Sequence, residues 1–184
     1  MTPPAVPAPV VLIGFMGAGK STVGRMVARR LGVDFADSDN VITDRTGRTP
    51  REIFATDGEA AFRALEREVV RDLVSGREAG TGIGGSVGVV ALGGGAVEDA
   101  RTRELLRAAR VVHLDVTFEH VRARVGADPR RPVLTRPDLP QIFAARQTAY
   151  REVADVVVHT DGLTPAAVAD RVVAALSALP SPSP

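Results

Sequence analysis

Four apolar residues, Val10–Ile13, run without a break into Gly14-Phe15-Met16-Gly17-Ala18-Gly19-Lys20-Ser21, and apolar residues at helical spacing, Val23, Met26, Val27 and Leu31, follow at once. No other stretch limits the possible folds as much. A short unbroken apolar run reads as a strand buried on both faces. The glycine segment fits G-x-x-x-x-G-K-[ST] at every fixed position. Its glycines let successive backbone N–H groups turn inward as an anion nest, backed by the positive end of the next helix. Gly32 then supplies a helix stop. Buried strand, phosphate loop and helix come as one unit, and such units build parallel sheets.

The chain has 23 Lys and Arg residues, and Lys20 is its only lysine. An ammonium on a thin stem reaches between β- and γ-phosphates from a narrow loop, where a planar guanidinium will not do. Gly17, Ala18, Gly19, Lys20, Ser21 and Thr22 are therefore nucleotide-binding candidates. The Ser21 hydroxyl is placed to ligate Mg²⁺.

Downstream, strand and helix alternate. Extended segments are expected at 33–37, 87–92, 110–115 and 155–159, and helices at 41–45, 49–54, 99–108, 118–125, 140–153 and 165–179. Thr56-Asp57-Gly58-Glu59 has capping-box spacing and is expected to open a long helix to Ser75, with Phe62, Leu65, Val69 and Leu73 on its core face. Nothing signals a hairpin between consecutive strands. The reading is a three-layer α/β/α domain over 10–179 with a parallel sheet of about five strands. Residues 1–9 and 180–184 are Pro-rich and read as disordered tails. The loop 126–138, rich in Pro and Arg, reads as a lid.

Ligands of such sheets bind at the carboxyl ends of strands, and the polar clusters fall there. Asp37-Ser38-Asp39 follows a strand. If the strand stays extended, both carboxylates point to one side, about 7 Å apart. One could then serve Mg²⁺ through water and the other an acceptor hydroxyl. Capping of the next helix by Asp39 is the plainer alternative, and Asp115 rivals Asp37 for the metal side. Gly93-Gly94-Gly95 lets backbone approach a ligand. Arg63 lies near a helix start, while Arg67 and Arg71 fit a solvated, ion-paired face. Arg130-Arg131 could neutralise charge on a transferred phosphoryl group. Gly80–Gly85 matches G-x-G-x-x-G but precedes a strand, so it reads as a loop. The three histidines lack metal-ligand spacing, and His113 reads as core or strand edge.

Together these pieces resemble the shikimate kinases from about Val10 to Val158. The resemblance rests on the phosphate loop, on Asp37-Ser38-Asp39, and on Ile53–Glu59 leading to Phe62-Arg63. Leu92–Ala96 and Arg131-Pro132-Val133-Leu134 complete it. It implies transfer of the ATP γ-phosphoryl group to the 3-hydroxyl of shikimate, with Mg²⁺, in aromatic amino-acid biosynthesis. By that resemblance Lys20, Asp39 and Arg131 are catalytic, and Arg124 lies against adenine. Ser21 holds Mg²⁺, with Asp37 on the metal side through water. Asp39, Arg63, Gly94, Gly95 and Arg146 bind shikimate. Arg146 has no local signal and by composition alone would be a surface residue. The family's Arg-x-Pro-Leu-Tyr is here Arg146-Gln147-Thr148-Ala149-Tyr150, without the proline. Ser38 stands where Thr is common.

Small-metabolite kinases of the gluconate type and nucleoside monophosphate kinases share such a loop, but not the Asp-x-Asp and triple-glycine set. A GTP-type switch would need Asn-Lys-x-Asp, which a single lysine at position 20 excludes. Net charge near +1 gives no field for nucleic acid or membrane, and no cysteine is present. The expectation is a cytoplasmic, monomeric enzyme.

Overall fold

The computed structural model describes residues 8–76, 87–125 and 137–180. Strand β1 (Val10–Ile13) is buried at every position, as its unbroken apolar run requires. It pairs in parallel with β3 (Val87–Ala91) on one side and β4 (Arg110–Asp115) on the other. Strands β2 (Asp34–Asp37) and β5 (Val156–His159) complete a five-stranded parallel sheet in the order β2-β3-β1-β4-β5. Helix α1 (Lys20–Leu31) carries the chain from β1 past β3 to the β2 edge. Every later crossover travels the other way. Because parallel crossovers are right-handed, α1 covers one face. Helices α4 (Glu59–Val74), α5 (Ala100–Leu105) and α7 (Leu139–Val153) cover the other. Helix α8 (Pro165–Ala178) packs beside α1 and closes the first face. Short helices α2 (Ser38–Thr46) and α3 (Pro50–Asp57) sit between β2 and α4, and α6 (Phe118–Val125) follows β4.

The aliphatic core is continuous through both layers: Val10–Ile13, Val69, Val70, Leu73, Val89, Val90, Val111, Val112 and Leu114 are all at most 2% exposed. Each such side chain contributes roughly 1.5–3 kcal/mol of burial, which is how a chain with 4% aromatic residues fills its interior. Gly24 permits the closest helix–sheet approach, since a Cβ there would stand 2.4 Å from the Phe35 ring.

Two local expectations are corrected. The strand does not continue through Asp37-Ser38-Asp39. Asp37 is itself the N-cap of α2, its carboxylate accepting from Asp39 N–H at 3.1 Å. The long α4 is not opened by a box at Thr56. The box operates one helix earlier: Thr49 accepts from Glu52 N–H and Glu52 accepts from Thr49 N–H, capping α3. Thr56 lies in the last turn of α3 and donates to Glu52 C=O at 2.9 Å. Gly58, at φ 85°, separates α3 from α4, which has no side-chain cap. The expected lid at 126–138 and the Gly80–Gly85 loop lie outside the described residues, apart from 137 and 138.

Candidate active site

The phosphate loop turns on Gly17 and Gly19, at φ 80° and 89°. Gly14 is fixed differently: at φ 144°, a Cβ there would meet Leu114 C=O at 2.5 Å. Gly19 caps α1 without a side-chain bond, so the first turn of a 12-residue helix keeps its N–H groups for an anion. Lys20 Nζ donates to Gly14 C=O at 2.7 Å and Phe15 C=O at 3.2 Å. The loop, Asp37, Asp39, Gly93, Gly94 and Arg146 border a cavity of about 500 Å³. Ala18 stands apart from the other loop candidates: its side chain is in the core and its N–H bonds Phe15 C=O.

Ser21 Oγ donates to Asp37 Oδ2 at 2.5 Å. A hydroxyl and one carboxylate meeting at one point are hard oxygen donors in the small number that Mg²⁺ takes from a protein beside water and phosphate. Among the described residues no cluster of three His, Asp, Glu or Cys could cage a metal. Asp115 instead pairs with His159 at 3.0 Å, so Asp37 is the aspartate that meets Ser21.

A second cavity of about 810 Å³ adjoins the first. Phe54, Phe62 and Ile142 form its apolar wall; Asp39, Arg63, Glu66, Glu98 and Arg146 supply its charge, with Gly93–Gly95 along one side. Two of the three glycines, Gly93 and Gly95, are needed for space. A Cβ on Gly93 would lie 2.9 Å from Asp39 Oδ1, and one on Gly95 would lie 2.6 Å from Arg63 Nη2 and 3.1 Å from Arg146 Nη2. Asp39, Gly94 and Arg146 border both cavities. Burial raises the pKa of Asp39, and the Asp37 charge adds to this, while Lys20 and Arg63 pull the other way. Burial opposes the charge on Arg63, yet Glu66, Glu98 and Glu59 together outweigh it and raise its pKa.

Three contributors escaped the sequence reading. Glu66, 2% exposed, binds Arg63 Nη1 at 2.5 Å. It sits on the core stripe of α4, where Leu65 was expected and is only half-buried. Tyr150, one turn beyond Arg146 on α7, donates its hydroxyl to Gly94 C=O at 2.5 Å and fixes the triple glycine. The helix runs through Gln147-Thr148-Ala149 without the proline, and buried Gln147 donates to Val116 C=O at 3.3 Å. Glu98 has no sequence signal and contacts both Arg63 and Arg146. Arg67 is ion-paired as expected, with Asp99 at 2.6 Å, though half-buried. His113 is core, fully buried on β4. Arg131 and the side chain of Arg124 lie outside the described residues. A third cavity, of about 630 Å³, is bordered by Leu106, Ala109, Val153 and Asp155 at the amino ends of β4 and β5, away from these groups.

A phosphate loop at the sheet's carboxyl edge, beside a second pocket that holds paired arginines and carboxylates, defines a P-loop phosphotransferase of small metabolites. The shikimate kinase family model matches residues 16–177. A shikimate kinase from Streptomyces coelicolor is 45% identical over 159 residues, covering 85% of this chain and 88% of its own length. One from Thermobifida fusca is 44% identical, with 91% and 94% covered. A solved shikimate kinase from Acinetobacter baumannii, in complex with shikimate, superposes with a TM-score of 0.80 at 35% identity over 90% of each chain. The chain belongs to the shikimate kinase family, ATP-dependent phosphotransferases acting on a shikimate hydroxyl.

Proposed function

We propose that this chain transfers the γ-phosphoryl group of ATP to the 3-hydroxyl of shikimate, giving shikimate 3-phosphate and ADP. The observation that carries the assignment of roles is the position of Asp39 on the border of both cavities. ATP lies with its phosphates in the loop, and Lys20 leaves its carbonyl partners to bind the β- and γ-phosphates. Ser21 and Asp37 hold Mg²⁺, Asp37 through water; bound there, the ion offsets phosphate charge. Arg63 and Arg146 grip the shikimate carboxylate in fork geometry, and Gly94 and Gly95 leave room for the ring. Asp39 accepts a hydrogen bond from the 3-hydroxyl. That oxygen forms the new bond to the γ-phosphorus as the bond to the β-bridging oxygen breaks, and the hydroxyl proton passes to Asp39 or to the transferred phosphoryl. The raised pKa of Asp39 brings its basicity closer to working pH. Arg131 joins from the lid and Arg124 lies against adenine, as the family pattern implies. The reaction runs in the cytoplasm. Among the described residues no helix is long and apolar enough to cross a membrane.

ADP release, measured with and without shikimate, tests this. Wild type should release ADP only with the acid present. Asp39→Asn should lose about 10²–10⁴ in rate while still binding nucleotide. Lys20→Arg should be inactive although it keeps the charge. Release that ignores shikimate, or that follows gluconate instead, would overturn the assignment.

A further inference from the structure

Glu98 is the last residue of a short 3₁₀ turn, Ala96–Glu98, that follows the triple glycine. Its carboxylate lies between the two arginines of the acceptor pocket, with Oε2 2.9 Å from Arg146 Nη2 and 3.4 Å from Arg63 Nη2. A Cβ on Gly95 would touch all three groups, the Glu98 oxygen at 2.9 Å. One internal carboxylate therefore stands where a small acid would be gripped. Resting on the reading of Arg63 and Arg146 as the carboxylate clamp, we propose that Glu98 is a built-in competitor for the acceptor's carboxylate. It neutralises the clamp in the unliganded protein and must turn out before the acid is held.

Four observations make the contact displaceable. A single oxygen serves both arginines, and one of the two contacts is long. An acid offering two oxygens in fork geometry binds better. Arg146 Nε is buried without a hydrogen-bond partner among the described residues, so Glu98 leaves part of that guanidinium unsatisfied. Exposure is unequal too: the Glu98 side chain is 42% exposed, against 16% and 15% for Arg63 and Arg146. The arginines are held while the glutamate can rotate into solvent. Finally, the backbone at Glu98 is pinned. Arg103 donates to the carbonyls of Val97 and Glu98, and Asp99 caps α5 while pairing with Arg67. Turning the side chain out therefore needs no backbone movement.

Charge complements the geometry. With Glu59 and Glu66 on Arg63 and Glu98 shared between both arginines, three carboxylates already face two guanidinium groups. A further carboxylate enters favourably only when Glu98 leaves. In Glu98→Gln the competitor loses its charge, and the KM for shikimate should fall roughly two- to fivefold, the size of a partly exposed, shared ion pair. The KM for ATP should not move. Acetate, which offers only the carboxylate, should become a better competitive inhibitor against shikimate by a similar factor. Glu98→Ala should behave like Glu98→Gln. An unchanged or higher KM for shikimate in both variants overturns the proposal, because a Glu98 that merely positions the arginines would weaken acid binding when removed. Failure of wild type to phosphorylate shikimate would instead sink the functional reading on which this rests.

Discussion

Single atoms decide the pocket proposed for the acceptor. Gly95 has an ordinary φ of −94°, so its backbone does not demand glycine. The demand is spatial, since a methyl group would push into the ends of Arg63, Arg146 and Glu98. Those are side-chain ends and not backbone, so Gly95→Ala should change folding stability little, within about 0.5 kcal/mol. The KM for shikimate should rise about tenfold from the misplaced clamp, with the KM for ATP constant. A large drop in the urea midpoint would show the glycine serving the fold instead. At this scale the sequence was readable where the chemistry is local. Lys20, Ser21 and the phosphate-loop glycines follow from spacing alone. Glu98 does not, because an acid on a surface turn looks ordinary until the fold brings α4 and α7 to it. Glu66 could have been found: it lies four residues after Phe62 and three before Val69, a charge on an apolar stripe.

Elements were legible by type and less so at their ends. Val10–Ile13, Lys20–Leu31 and Arg110–Asp115 stand as expected, because continuous apolar runs and clear helical spacing leave one solution. The errors fell where two capping signals lie close together. Thr49-x-x-Glu52 and Thr56-x-x-Glu59 both have box spacing, and only the first is built. Thr49→Ala should therefore cost about 1 kcal/mol, seen as a lower urea midpoint with unchanged slope. Thr56→Ala should cost less, since its hydroxyl bonds back to Glu52 and Asp57 within α3 and otherwise accepts from the exposed Arg48 guanidinium. The Asp37 cap has a functional side effect. By ending β2 and starting α2 at Ser38, it places Asp39 in the first turn of a helix, and Gly93 N–H binds Ser38 Oγ at 3.0 Å. The two aspartates meet the site through a helix start and not through strand alternation.

For the molecule as a whole, pH stability hinges on a buried base. His113 is fully buried on β4, with neither ring nitrogen hydrogen-bonded among the described residues, against the Tyr150 ring. Burial lowers its pKa from 6.5 to about 4, with Asp115 opposing and Arg151, His159 and Lys20 assisting. Below pH 6.5 the unfolded chain takes a proton here that the folded chain refuses until about pH 4. Stability from this residue is thus complete above pH 6.5, is lost as pH falls to about 4, and then levels off. The loss is on the order of 3 kcal/mol. Asp39 and Glu66, whose pKa values are raised chiefly by burial, act with the opposite sign, so a difference measurement isolates the histidine. His113→Phe should shrink the fall in urea midpoint between pH 7 and pH 4.5. An equal fall in wild type and variant would rule His113 out.

The sole lysine, held by loop carbonyls at the mouth of the phosphate-loop cavity, makes side-chain amine reactivity a property of one place. Reagents that acylate amines meet only the chain's α-amino group and Lys20. Random amine coupling to a dye, a bead or a sensor chip would either tether the chain by its end or block its own phosphate loop. Conversely, the extent of Lys20 acylation measures how much of the loop is occupied, without any turnover.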